Sequence, residues 1–340
     1  PVPGLHAFSV PWASAELRRL GFNRRAATTD RTVAADLIVA AGATYFARLR
    51  ELQQAHQFHR SLIFNVDEFF VLLHDNSRFT WEKVAKGAKK NIAIAEDKLG
   101  FTCSVMTSMA GEVSCLQLNW RGKTADVHAK VENPSDKIFQ SHRPESHFQN
   151  CSTWRSFIEF FLQKLVPIRQ SVQQACGLAA LPPVLLLSDR APQHTAVKTM
   201  FPATAEWLHE MAVPPAMTHV FQPADMLVIA HLKQRASLEY AKWLEETVRQ
   251  YPPHIAADII ANKRAPPADE SGMTPVWNKL PYKRHLKYMC LAKAMQQMPQ
   301  SVVEHSWAMA GAHRALFDET VLHTTGQKAG KPVSVVYDEY

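Results

Sequence analysis

The segment Pro182-Pro183-Val184-Leu185-Leu186-Leu187-Ser188-Asp189 constrains this chain more than any other. Its consecutive apolar residues leave no polar face to turn toward water, so a strand built from them must be covered on both sides. Such strands belong to parallel sheets with helices on each face, and they need a chain long enough to supply those helices. With 340 residues, 46% of them hydrophobic and 20% charged, this one has room for a large domain or two smaller ones.

The texture elsewhere agrees. Residues 1–31 contain Pro1, Pro3 and Pro11 and the arginines 18, 19, 24 and 25, and read as an arm or loosely packed lead-in. From Thr32 to about His59, Val33, Leu37, Ala40, Ala41, Tyr45, Leu49 and Leu52 recur at helical steps. Leu62 to Asp67 is a short apolar run ending in an acid, a strand signal. Phe101–Met109 and Val113–Trp120 read as a hairpin around Gly111. Ser152 or Thr153 can cap a helix through Trp154, Phe157, Ile158, Phe161, Leu162 and Leu165. After the Val184 strand the pattern predicts a helix from Thr195 to Met211 and a last short strand from Met217 to Gln222. A long helix then opens near Ala224–Asp225 and runs to Gln250, with Leu227, Ala230, Leu238, Ala241 and Leu244 as its core face. Three meandering strands followed by alternating helices and strands make a mixed α/β sheet flanked by helices, the order of the ribonuclease H-like fold. The expected division is an arm and helix over 1–60, the sheet domain over 61–250, and a linker with a small helical region over 251–340. The linker is marked by Pro252-Pro253 and Pro266-Pro267, and residues 284–317 are again helical.

Five cysteines, an odd number with no CxxC, argue against a disulfide framework or a structural zinc site and fit a reducing intracellular compartment. Sixteen histidines include no HExxH; His56 and His59 share a helix face, but no carboxylate cluster accompanies them. No apolar run reaches membrane-spanning length. The formal net charge of +7 favours an acidic partner, and nucleic acid is the commonest. The chain opens Pro1-Val2-Pro3, with no Met and no apolar leader core, so a segment upstream is expected.

Three acids stand where such a fold gathers chemistry. Asp67 closes the first predicted strand, Asp189 the fourth, and Asp225 lies at the mouth of the last long helix. Any one of them could be a mere cap. Three together would repel one another unless cations offset them, and hard divalent ions with oxygen ligands do so. Two such ions can activate a water or a 3′-hydroxyl and stabilise the leaving oxygen of a phosphodiester.

At these residues the chain resembles the pogo branch of the mariner superfamily of transposases, which includes the domesticated centromere-protein-B-like and jerky-like proteins. Ile63-Phe64-Asn65-Val66-Asp67-Glu68 is similar to the family's NxDE block, and Trp120-Arg121-Gly122-Lys123-Thr124 to its FKGKT block. Ser152-Thr153-Trp154 resembles the entry to the next helix. Leu187-Ser188-Asp189-Arg190-Ala191-Pro192-Gln193-His194 resembles LDNAPxH. Phe221 to Ile229 resembles LQPLDQGVI, and Ser306-Trp307-Ala308-Met309-Ala310-Gly311 echoes SWxxAG. Thirty-five residues separate Asp189 from Asp225, within the family's range. The chain departs from the pattern at Phe69-Phe70, at Arg190 beside the second acid, and at Met226-Leu227.

The resemblance implies a metal-dependent endonuclease and strand transferase acting on DNA in the nucleus, assembled as a homodimer on its substrate. Asp67, Asp189 and Asp225 would be the catalytic acids and the ligands of two Mg²⁺ or Mn²⁺. Glu68 would orient Asp67, and Lys123, Arg190, His194 and Lys233 would be candidate phosphate contacts. For His194 and Lys233 a capping or solvated role is an equal alternative. No helix-turn-helix pattern, the family's reader of transposon ends, precedes residue 60. Two other readings stay open: a domesticated relative that binds DNA or a protein without cutting, and another nuclease, such as an integrase, on the same fold.

Overall fold

A computed structural model describes residues 22–26, 33–73, 79–83, 100–132, 134–189, 191–249, 280–324 and 328–336. The chain divides into two compact units. One spans Pro1–Thr32 and His74–Leu99, the other Val33–Leu73 and Gly100–Tyr340. In the first, β1 (Phe22–Ala26) pairs antiparallel with β3 (Phe79–Lys83), from Phe22 opposite Lys83 to Ala26 opposite Phe79. The expected linker around 252–267 lies outside the described residues.

The second unit is built on a sheet of six strands. β2 (Ile63–Leu72), β4 (Gly100–Ser108) and β5 (Glu112–Arg121) form an antiparallel meander. Gly111 turns the hairpin at φ 95°, a left-handed conformation that suits glycine. β7 (Val184–Ser188) lies parallel to β2 on its other side, and β8 (Leu208–Ala212) parallel to β7. β6 (Ile138–Arg143) is added parallel to β5 at the far edge, so the order is β6-β5-β4-β2-β7-β8. Without β6, this is the ribonuclease H-like arrangement, with the meander on one side of its first strand and the parallel strands on the other.

Alternation along the strands separates two cores. Ile63, Phe69, Cys103, Val105, Leu116 and Leu118 face α1 (Ala35–His56), α5 (Ile229–Val248) and the C-terminal helices α6 (Leu280–Gln296), α7 (Gln300–Met309) and α8 (Ala312–Phe317). Phe64, Val66, Met106 and Cys115 face α2 (Cys151–Cys176) through Trp154, Phe157, Ile158, Phe161 and Leu165. The Val184–Leu187 run contributes to both, Val184 and Leu186 on one side and Leu185 and Leu187 on the other, as its unbroken apolarity requires.

Several sequence expectations need correction. Asp67 is the fifth residue of a ten-residue strand and not its end, because Glu68–Leu72 continue the ladder opposite Ser104–Gly100. The cap of α2 is Asn150, whose Oδ1 accepts from Thr153 N while Thr153 Oγ1 accepts from Asn150 N; the helix then runs past Pro167 to Cys176. Helix after Thr195 is confined to α3 (Val197–Met200). Pro202 opens a tighter turn, and Leu208–Ala212 take the open edge of β7 as the last strand. With that edge filled, Thr218–Phe221 form a short helix, α4, in place of the expected strand. The core face of the long helix is Val228, Ile229, Leu232 and Ala236; Ala230, Leu238 and Ala241 are exposed, and Leu244 is a side chain the structure does not describe. A widened turn at Ala224–Val228, with π-type hydrogen bonding, shifts the phase there. In α1, Ile38, Phe46 and Gly42 are buried beside Tyr45 and Leu49, while Leu37 faces solvent.

Candidate active site

Asp67 and Asp225 come together from two elements, and Asp189 stands near enough for its charge to act on both. Asp67 projects from the middle of β2, Asp189 follows β7, and Asp225 sits in the widened turn that leads into α5. Asp67 and Asp225 meet carboxylate to carboxylate, and the charge of Asp189 acts on both.

Two buried amides make this register. Asn65 Nδ2 donates to the Leu187 carbonyl at 3.1 Å, and its Oδ1 accepts the Ala224 N–H at 2.9 Å. One side chain thereby ties β2 to β7 and fixes the residue before Asp225. Gln222 Nε2 donates to the Val66 carbonyl at 3.0 Å, beside Asp67. Both residues are wholly buried. A widened turn leaves backbone groups unpaired, and α7 supplies their partner. Ser306 Oγ accepts the Leu227 N–H at 3.1 Å and donates to the Pro223 carbonyl. The Asn, Gln and Ser of the sequence blocks are thus positioning residues, a role their spacing did not disclose.

Burial raises the Asp67 pKa well above the ordinary carboxylate value, and the charge of Asp225 and their shared contact add to it. The Glu68 N–H, donating to Asp67 Oδ1 at 2.8 Å, offsets part of the rise. The other oxygen, Oδ2, is buried without a hydrogen-bond donor. Asp225, although more open to solvent, is also raised by partial burial, against the opposing pull of its contact with Asp67 and of the charges of Lys233 and His219. A buried carboxylate oxygen with no donor, facing another carboxylate, calls for a proton or a cation. The donor set is carboxylate oxygen, which suits Mg²⁺ or Mn²⁺ and not a soft ion.

Asp189 has a partner of its own. His194 Nδ1 lies 2.7 Å from Asp189 Oδ1, an ion pair when the ring is protonated. His194 Nε2 reaches Glu68 Oε1 at 3.0 Å and Gln149 Oε1 at 3.2 Å. Burial alone would lower the imidazole pKa, but Asp189 and Glu68 outweigh it and raise it to about 9. Asp189 accepts from Ala191 N as well, and despite its burial is held below the ordinary carboxylate value, chiefly by His194. The imidazole ring lies against Trp154, centroids 4.2 Å apart, and Trp154 Nε1 donates to the Thr195 carbonyl. Among the described residues no three His, Cys, Asp or Glu groups are drawn together as a ready metal cage.

The other expected residues are placed as follows. The Glu68 carboxylate turns to the opposite face of β2 from Asp67 and serves His194; only its amide orients Asp67. Lys233 lies over the Phe69 ring at 5.1 Å and its charge acts on Asp225. Lys123 is exposed beyond the end of β5, and Arg190 lies outside the described residues. His56 stacks on His209 with centroids 3.7 Å apart, while His59 accepts from Ser61 N, so the two do not form a metal pair.

No family model matches the chain, and no curated protein matches it. Solved structures similar to it include the Mos1 mariner paired end complex with Mn (15% identity, 85% of this chain and 72% of that one, TM-score 0.38). The catalytic domain of Mos1 mariner transposase is similar at 13% identity, over 84% of this chain and 98% of that one, TM-score 0.38. A pre-cleavage Mos1 transpososome is similar at 12% identity, over 84% and 70%, TM-score 0.37. These superpositions are partial; the fold assignment stands on the strand order.

Proposed function

We propose that this chain is the catalytic core of a metal-dependent DNA endonuclease and strand transferase, a transposase of the pogo type within the mariner superfamily. The observation that carries the reading is the buried Asp67 carboxylate facing Asp225, with one oxygen left without a donor and the charge of Asp189 acting on both. Asp67, Asp189 and Asp225 would hold two Mg²⁺ or Mn²⁺. Such ions, when bound, activate an attacking water or 3′-hydroxyl and stabilise the leaving oxygen of a phosphodiester. Asn65, Gln222 and Ser306 keep the carboxylates in register. His194 would hold Asp189 with a positive charge in the absence of other cations, and Lys233, whose charge acts on Asp225, would meet a phosphate. The +7 charge supplies phosphate-driven affinity for DNA. A homodimer assembled on DNA and a nuclear location complete the proposal.

A second reading, a domesticated relative that binds DNA or a protein partner without cutting, draws on the His194–Asp189 pair. An imidazolium that already neutralises Asp189 competes with a metal ion for it. Incubation of the chain with supercoiled DNA in Mg²⁺, Mn²⁺ or EDTA separates the two. Nicking in either metal and none in EDTA supports the nuclease; DNA binding that falls steeply with salt, without nicking, supports the domesticated relative.

A further inference from the structure

The loop between β6 and α2 carries a feature that cleavage leaves unused. Phe148 is 63% exposed, yet the peptide that bears it is firmly held. Its carbonyl accepts from Asn119 Nδ2 at 2.9 Å and from an Arg143 guanidinium nitrogen at 3.1 Å. The same Asn119 amide donates to the His147 carbonyl at 2.8 Å, and Phe148 N donates to Ser146 Oγ at 2.9 Å. Both neighbours are anchored. The His147 ring packs on Phe70 at 4.6 Å and meets Thr102 Oγ1 at 3.2 Å. Gln149 is buried, donating to Ser104 Oγ and Gln117 Oε1 while its own Oε1 faces His194. The Phe148 ring itself packs against the His147 ring, centroids 4.4 Å apart, and leaves its remaining surface to solvent.

The surroundings are cationic. Arg121 and Arg143 are partners at the ends of parallel β5 and β6, and exposed Lys123 follows Arg121 by two residues. The Arg121 charge reaches His147, where it adds to burial in lowering that imidazole's pKa. Glu145, exposed on the same loop, offsets part of this charge. A fixed aromatic face with guanidinium groups beside it offers the two things an unpaired nucleotide needs, a surface to stack on and cations for the adjoining phosphates.

We infer that Phe148 is a stacking platform for an unpaired base of the DNA strand beside the bond that is cut, with Arg121, Lys123 and Arg143 along the flanking phosphates. The identity of the ligand rests on the nuclease reading. Its nearness to the carboxylates rests on the contacts from Gln149 to His194 and from His194 to Asp189. A base inside an intact duplex has no free face, so the platform discriminates frayed, nicked or single-stranded DNA from closed duplex.

The test uses two oligonucleotides in EDTA, a single strand carrying 2-aminopurine and a closed hairpin duplex, titrated with wild type, Phe148→Ala, Phe148→Trp and Lys123→Ala. Phe148→Ala should weaken single-strand binding about 5–150-fold, the range of one base–aromatic stack, and leave duplex affinity and thermal melting unchanged. Phe148→Trp should restore the affinity and the quenching of 2-aminopurine, and Lys123→Ala should weaken both substrates alike. Equal losses on both substrates with Phe148→Ala, or no loss, overturn the platform and leave the nuclease reading standing. Failure of the wild type to bind either substrate at low salt overturns the nuclease reading, and the platform with it.

Discussion

Asn65 is the side chain on which the register of the carboxylates depends, and its removal has a calculable effect. In Asn65→Ala, the Leu187 carbonyl loses one acceptor contact and the Ala224 N–H, at a helix entrance with no partner inside the helix, loses its only one shown. Each buried group left short costs about 1–3 kcal/mol, so the variant should lose about 2–6 kcal/mol, set against the about 5–15 kcal/mol that holds a domain folded. At about 2–4 °C per kcal/mol, melting should fall by roughly 4–24 °C. The protein should therefore fold at 20 °C, but with Ala224 untethered and Asp225 free to drift from Asp67. A misplacement of about 1 Å can cost on the order of 100-fold in rate, and DNA nicking should fall by that order. The comparator is Arg169→Met, at the opposite end of β7 from Asp189. There the guanidinium donates to the Pro182 and Leu181 carbonyls and stacks on Trp207 at 3.9 Å. It should destabilise by a similar amount and keep its nicking rate. An Asn65→Ala protein that melts as wild type, or that melts early yet nicks as fast as Arg169→Met, would refute the tether.

Mg²⁺ or Mn²⁺ should raise the melting temperature of the wild type in proportion to the logarithm of its concentration, and should not raise that of Asp67→Asn; equal shifts in both would remove Asp67 from the metal site. Ser306→Ala strands the Leu227 N–H and the Pro223 carbonyl, so it should cost about 1–3 kcal/mol in denaturant melts and speed hydrogen exchange at Leu227. Unchanged exchange there would show that the widened turn does not need α7. His313 is buried beside Arg60, and burial followed by that charge lowers its pKa to about 4. A depressed folded pKa means stability that is complete above the unfolded value near 6.5 and is lost as pH falls toward 4, by about 2–4 kcal/mol. His313→Leu should flatten the melting curve over that pH range; a wild type as stable at pH 4.5 as at pH 7 would contradict this.

The strand core was legible because its signals are local. The apolar run at Val184–Leu187 and the alternation around Gly111 each state their own geometry. The elements misread were those decided by distant partners. Leu208–Ala212 becomes a strand because β7 has an open edge, and Thr218–Phe221 cannot because that edge is then filled. β6 is a half-polar edge strand whose alternation is too weak to be seen. The widened turn at Ala224–Val228 cannot be read from composition, since its stabilising hydroxyl sits on Ser306, some eighty residues away. The three acids could be proposed as candidates from their sequence blocks, whereas the pairing of His194 with both Asp189 and Glu68 could not. Periodicity reports faces, and it is silent on which faces meet.

Cleavage by Asp189→Asn tests the central claim most directly. Asn keeps the shape and an acceptor for Ala191 N but lacks the charge that holds a divalent ion and His194. With supercoiled DNA in Mg²⁺ or Mn²⁺, the wild type should nick and Asp189→Asn should not, while DNA affinity stays at or slightly above the wild-type value and the fold is retained. A variant that melts early and still cuts would make Asp189 a structural partner of His194 and would contradict the three-aspartate mechanism.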